Sequence, residues 1–91
     1  MNLIEHFING KITKGSSNKK SKVYNPATGE QSAEVNLASK ADVDLAVQKA
    51  KKAFDDWSRK PPAQRAKIIF KFKYLIEKNS DEITKLIVSE H

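Results

Sequence analysis

The spacing of apolar and polar positions changes period once along the chain, from about 2 to about 3.6, and so predicts strands followed by helices. In Phe7-Ile8-Asn9-Gly10-Lys11-Ile12, the Asn-Gly pair sits between short apolar stretches. Asn and Gly tolerate positive φ at both central positions of a type I′ turn, whose twist matches paired strands. A two-residue turn there pairs Ile8 with Lys11 and Phe7 with Ile12, so that Phe7 and Ile12 share a face that needs something to pack on. Lys14 to Ser21 is polar and aperiodic and is expected to be an exposed loop. Lys22-Val23-Tyr24 reads as a short strand, ended where Pro26 removes a ladder donor and holds Asn25 extended. Asn25-Pro26-Ala27-Thr28-Gly29 is turn chemistry, with Asn bonding its own backbone and Gly29 supplying a left-handed position. Ser32 to Leu37 alternates again, with Ala33, Val35 and Leu37 on one face and Ser32, Glu34 and Asn36 on the other.

From Ser39 the helical period takes over. Ser39 is expected to be an N-cap, with Asp42 three residues on completing a capping box and suiting the helix dipole. Val43, Ala46, Val47, Ala50, Ala53, Phe54 and Trp57 then recur at three and four, predicting a helix from about Lys40 to about Trp57. Lys60-Pro61-Pro62 interrupts it, and Pro62 suits the first position of a second helix. Phe70-Lys71-Phe72-Lys73-Tyr74 alternates like a strand. The wider window nevertheless places Ile68, Ile69, Phe72, Leu75 and Ile76 at helical spacing, with Phe70 and Tyr74 as a second contact line, and nothing breaks it before Asn79-Ser80. Ser80 is expected to cap a third helix over about 81–91, with Asp81 and Glu82 in its first turn and Ile83, Leu86 and Ile87 as its apolar face. No C-cap residue precedes His91, and a helix of about 11 residues needs packing to be stable, so the chain reads as cut there rather than finished.

Composition narrows what such a chain can do. Its 91 residues, 38 % hydrophobic and 31 % charged, fit one small globular unit at most. A chain of this size buries only about 60 to 65 % of its unfolded surface. There is no cysteine, which excludes disulfides, thiolate metal sites and a cysteine nucleophile within it. No basic leader with an apolar run and no apolar stretch near membrane length is present, so a cytoplasmic location without a membrane partner is expected. The net charge of +6 raises the question of nucleic acid. Only Arg59 and Arg65 among the seventeen basic residues carry the guanidinium fork that bidentate phosphate and base recognition favour, and a solvated lysine coat accounts for the rest.

The search for chemistry yields no catalytic, cofactor-binding or metal-ligating residue. His6 and His91 stand at opposite ends of the chain, where a two-histidine metal site would require those ends to meet. Gly10, Gly15 and Gly29 are too scattered for a dinucleotide fingerprint or a phosphate-binding loop. The acid pairs Asp42/Asp44 and Asp55/Asp56 fall at a helix start and on a solvent-facing turn, where dipole and surface roles are expected.

The ordered set FINGK, VYNPATGE, AEVNLAS, DVDLAVQKAKKAFDDW and PPAQRAKIIFKFKYLIEKNSDEITKLIVSEH resembles the N-terminal part of the aldehyde dehydrogenase superfamily, over the whole chain. Within it, FINGK with NPATGE, LAS, FKF and the terminal SEH is similar to the CoA-acylating methylmalonate-semialdehyde dehydrogenases. The resemblance implies an α/β fold (α+β in this portion): an N-terminal β-hairpin and short antiparallel strands over about 3–37, then helices at about 40–57, 62–78 and 81–91. Residues 1–91 would then be a single partial domain, an incomplete part of the NAD-binding domain. It implies a parent enzyme that oxidises (methyl)malonate semialdehyde with NAD, forms a thioester on a cysteine, loses carbon dioxide and passes the acyl group to coenzyme A. The cysteine, the general-base glutamate, the nucleotide-contacting loop and the substrate-binding arginines would all follow His91. The partners implied are the remainder of the dehydrogenase chain and, for the parent, further copies of itself; the 91 residues alone are expected to be inactive.

Two alternatives remain open at this point. One is another aldehyde dehydrogenase subfamily. The other is a free-standing basic module that binds nucleic acid or an anionic surface through Lys19, Lys20, Lys22 and the lysines of Lys67 to Lys78. The placement of Phe72 on an apolar stripe and the lack of a recognised binding motif weigh against the second.

Overall fold

A computed structural model describes residues 2–91. Met1, with which the expected domain begins, lies outside the described residues. The elements are β1 (Asn2–Ile4), β2 (His6–Ile8), β3 (Lys11–Thr13), β4 (Lys20–Tyr24), β5 (Gln31–Asn36), α1 (Lys40–Trp57), α2 (Pro62–Lys78) and α3 (Ser80–Glu90).

The hairpin forms as its sequence dictates. Asn9 and Gly10 take φ of 54° and 74°, and the strands pair His6 with Thr13, Phe7 with Ile12 and Ile8 with Lys11. Strands β4 and β5 pair antiparallel, with a register irregularity between Val23 and Tyr24. The turn between them is closed locally: Asn25 Oδ1 accepts from the Ala27 amide at 2.9 Å, and the Asn25 carbonyl accepts from the Gly29 amide at 2.8 Å.

Three features depart from the sequence expectation. Strand β1 lies parallel to β5, making a sheet of order β1-β5-β4; three residues carry no periodicity of their own, and β1 exists because β5 offers it a free edge. Strand β4 begins at Lys20, so the expected loop is two residues shorter: Lys20 and Ser21 are drawn into the ladder opposite Asn36 and Val35. Ser80 is the first residue of α3 and not its cap. Asn79 is the joint, its carbonyl accepting from the Ile83 amide at 3.0 Å while its own amide donates to the Leu75 carbonyl at 3.0 Å. The Asn79 side chain does not cap α3; its Nδ2 donates back to the Leu75 carbonyl at 2.8 Å. Ser39 and Pro62 stand as expected, the first as cap of α1 and the second at the first position of α2.

Apolar packing is sparse. Ala33 is the one buried hydrophobic residue among those described, and Phe7 and Ile12, side by side on the hairpin, are 74 % and 73 % exposed. The radius of gyration is 16.9 Å, against about 12 Å for a compact chain of this length. The extents of 48 × 35 × 16 Å describe a slab little thicker than one layer of secondary structure. Large apolar residues are exposed along all three helices, among them Phe54 on α1, Phe72 on α2 and Leu86 on α3.

Candidate functional site

The best-tied side-chain cluster joins the loop after β3 to the start of α1. Ser39 caps α1, its Oγ accepting from the Asp42 amide at 3.1 Å while Asp42 Oδ2 accepts from the Ser39 amide at 2.9 Å. These two bonds are the capping box read from the sequence. The same carboxylate also accepts from the Ser16 amide, at 3.0 and 3.1 Å to its two oxygens, and from Ser16 Oγ at 3.2 Å. With the Ser16 hydroxyl committed to Asp42, the Ser39 hydroxyl closes the ring by donating to Ser16 Oγ at 2.6 Å. Asp42 is thus 7 % exposed and fully bonded.

Bonds to the charged form lower an acid's pKa, and here they outweigh the burial that acts the other way. The Ser39 amide first and the Ser16 amide second, with the two hydroxyls adding to them, hold Asp42 at about 2. A carboxylate so occupied is no general base near neutrality. The cluster is a clasp: its acid and its two hydroxyls are bonded to one another and to the backbone amides of Ser16, Ser39 and Asp42.

Gly15 makes the clasp possible. Its φ is +76°, and a Cβ there would stand 2.6 Å from Asp42 Oδ2 and 2.9 Å from His6 Nε2. The loop backbone therefore passes directly between the hairpin and the acid. His6 sits here with its Nε2 buried and without a hydrogen-bond partner among the described residues. His91 lies at the other end of the chain, after α3. No group of three or more metal-ligating side chains occurs among the described residues.

Gly10 and Gly29 lie in turns with open space at the Cβ position, and Gly15 is packed against Asp42 and His6. The N-terminus of α1, where a pyrophosphate would seek free amides, carries the Asp42 carboxylate instead, and that of α2 opens with two prolines. Asp44 pairs with Lys40 at 3.7 Å and Asp56 with Lys60 at 3.9 Å, both at the surface. The capping box announces Asp42 in the sequence, but nothing announces Ser16, twenty-six positions away in an aperiodic loop.

The succession of hairpin, three-stranded sheet and three helices is shared with known proteins. The chain belongs to the aldehyde dehydrogenase family, which it matches over residues 12–91. Malonate-semialdehyde dehydrogenase 2 of Bacillus cereus is 42 % identical over 89 residues, which is 98 % of this chain and 18 % of that protein. The crystal structure of methylmalonate-semialdehyde dehydrogenase from Oceanimonas doudoroffii superposes on all of this chain with a TM-score of 0.95 at 42 % identity, again over 18 % of its own length. Mycobacterium tuberculosis aldehyde dehydrogenase, solved in complex with NAD+, matches 97 % of the chain at a TM-score of 0.84 and 38 % identity. The chain therefore corresponds to the N-terminal part of such a dehydrogenase and spans about a fifth of the length of the relatives it matches. No helix among the described residues is long and apolar enough to cross a membrane.

Proposed function

We propose that these 91 residues are the opening segment of an NAD-dependent, CoA-acylating (methyl)malonate-semialdehyde dehydrogenase, and that their work is structural. One observation carries this reading: the chain matches methylmalonate-semialdehyde dehydrogenase along its whole length while spanning 18 % of that protein. In the parent, the aldehyde is oxidised to an acyl-CoA with loss of carbon dioxide, by residues outside this segment. NAD and coenzyme A belong to that parent, as do its cytoplasmic location and its assembly from several copies.

The segment forms a single partial domain. It contributes a hairpin, a small sheet and three helices, and the clasp sets the loop after β3 against the head of α1. Nucleic acid and membrane surfaces are not its partners in this reading: Phe72 falls at helical spacing with Ile68, Ile69, Leu75 and Ile76, and only two of the seventeen basic residues are Arg. Two assays test the reading. The purified chain is expected to produce no NADH from malonate semialdehyde with NAD and CoA, and turnover above a blank would overturn its inertness. Joined covalently to the B. cereus relative in place of the matched residues, the segment is expected to give an active enzyme, and an inactive chimera would overturn the assignment.

A further inference from the structure

The six asparagines of the chain stand in different surroundings, and the surroundings decide which of them can lose its side-chain amide. The loss begins when the backbone nitrogen of the following residue attacks the asparagine Cγ. It needs a free N–H on that residue, an asparagine side chain free to turn, and little bulk beside the attacking nitrogen. Asn25 precedes Pro26, whose nitrogen carries no hydrogen, and its Oδ1 holds the Ala27 amide. Asn36 is 6 % exposed, and the Leu37 amide after it donates to the Lys19 carbonyl at 2.9 Å. The Lys19 amide after Asn18 donates to Ser17 Oγ at 3.0 Å. Asn79 Nδ2 is engaged by the Leu75 carbonyl, and Asn2 lies within β1 before the branched Leu3. Asn9 differs in each respect. It is exposed, and Gly10 after it has no side chain and open space where a Cβ would stand. Among the described residues, no hydrogen bond holds the Asn9 side chain or the Gly10 amide. The strands joined here are three residues each and their apolar pair is exposed, so the turn opens at low cost and the nitrogen can reach Cγ.

We propose that Asn9 is a site of spontaneous deamidation, and that the isoaspartate formed there disconnects the hairpin. The Gly10 nitrogen gives its proton to hydroxide and bonds to Asn9 Cγ. The Cγ–Nδ2 bond breaks, and Nδ2 leaves as ammonia with a proton taken from water, which restores the hydroxide. The succinimide ring so formed is opened by water at either carbonyl. Addition at Cγ breaks the new bond and leaves aspartate. Addition at the Asn9 backbone carbonyl breaks the old peptide bond and leaves isoaspartate, with the chain running through Cβ and Cγ. Either way one water is consumed and one ammonia released, and nothing is oxidised or reduced. Aspartate adds a negative charge to an unchanged backbone, whereas isoaspartate also adds a methylene to it. The length of a two-residue turn is what sets Ile8 opposite Lys11, so the added atom removes that register and with it the pairs Phe7/Ile12 and His6/Thr13. The Gly15 amide donates to Thr13 Oγ1 at 3.3 Å, so the change reaches the loop that meets Asp42.

The test keeps the full chain folded at mildly alkaline pH and follows each asparagine by peptide mapping and mass spectrometry, with isoaspartate told from aspartate by electron-transfer fragmentation. Asn9 is expected to convert roughly tenfold or more faster than any other asparagine, because only Gly10 leaves the attacking nitrogen uncrowded. Isoaspartate is expected as the main product, and the converted fraction is expected to lose the Phe7 to Ile12 cross-strand contact in its NMR spectrum. Gly10→Ala should slow conversion by roughly tenfold, its methyl crowding the nitrogen while meeting no neighbour. Should that change unsettle the turn, Asn9→Gln gives the same arrest with Gly10 intact, since its longer side chain closes a ring less readily. Freshly prepared Asn9→Asp separates charge from length and is expected to keep the Phe7 to Ile12 contact. Conversion of Asn18 or Asn79 as fast as Asn9, or conversion of Asn9 only in denaturant, would overturn the site. A converted hairpin that retains the Phe7 to Ile12 contact would overturn its consequence.

Discussion

Residues 13–42 and residues 62–90 are of similar length but are held by different means. The first region is closed by side-chain bonds that cross long stretches of sequence: Ser16 to Asp42, Ser16 to Ser39, and Asn36 Nδ2 to the Lys14 carbonyl at 3.3 Å. The second consists of two helices with their backbone ladders, one shared residue and apolar faces turned outward. Polar bonds are directional and complete themselves between a few atoms, so a clasp can finish inside a small segment. Apolar burial needs area from both sides, and 91 residues drawn into a slab do not have it. The segment carries its own fastening at one end and leaves its apolar residues exposed at the other.

The sharpest way to break that contrast is at Gly15. Replacing Gly29 by Ala meets only the left-handed backbone, since the space around it is open, and should cost about 1 kcal/mol. Gly15→Ala carries the same backbone penalty and also forces Asp42 and His6 apart, so a loss of roughly 2–4 kcal/mol is expected. Native-state hydrogen exchange at the Ser16 amide and the first turn of α1 would read it, and equal effects of the two changes would show that the clasp contributes nothing. Ser39→Ala removes the cap and one side of the ring; exchange from the first turn of α1 should rise by about 1 kcal/mol equivalent, with α2 unmoved.

The clasp also has a pH signature. Asp42 in the folded chain is lowered to about 2 from 3.8, so its contribution is complete above about pH 4 and fades as pH falls toward 2, where the carboxyl takes up its proton. The Ser16 and Ser39 amide resonances should therefore titrate with a midpoint near 2, and Asp42→Asn should abolish the transition; a midpoint near 4 would mean the bonds do not hold the acid. The smallest effect belongs to the helical region. Lys73 and Glu77 pair in solvent, at 71 % and 65 % side-chain exposure, so Lys73→Ala should change stability by less than about 0.5 kcal/mol.

What could be read in the residues follows the range over which each force acts. The Asn9-Gly10 turn, the Asn25 turn, the Ser39-Asp42 box and the Pro62 start are settled within four or five residues, and each stands where the sequence places it. Strand β1 and the two extra residues of β4 depend on a partner strand distant in sequence, and no local pattern marks them. Ser80 is a good cap by type, but the Asn79 carbonyl already closes the first turn of α3, leaving Ser80 inside. Of the clasp, half was legible: the box announces Asp42, while Ser16 and Gly15 lie in a loop whose only visible property is polarity.

Asn79 has one more consequence. By ending α2 and beginning α3 at a single residue, with φ −106° and ψ 19°, it holds the bend between the two helices with three short-range bonds. The bend is therefore set by bonds local to Asn79. An element already holding its bound shape gives up less freedom on association. Asn79 works as a carpenter's square, cut in advance, against which a later assembly can be trued.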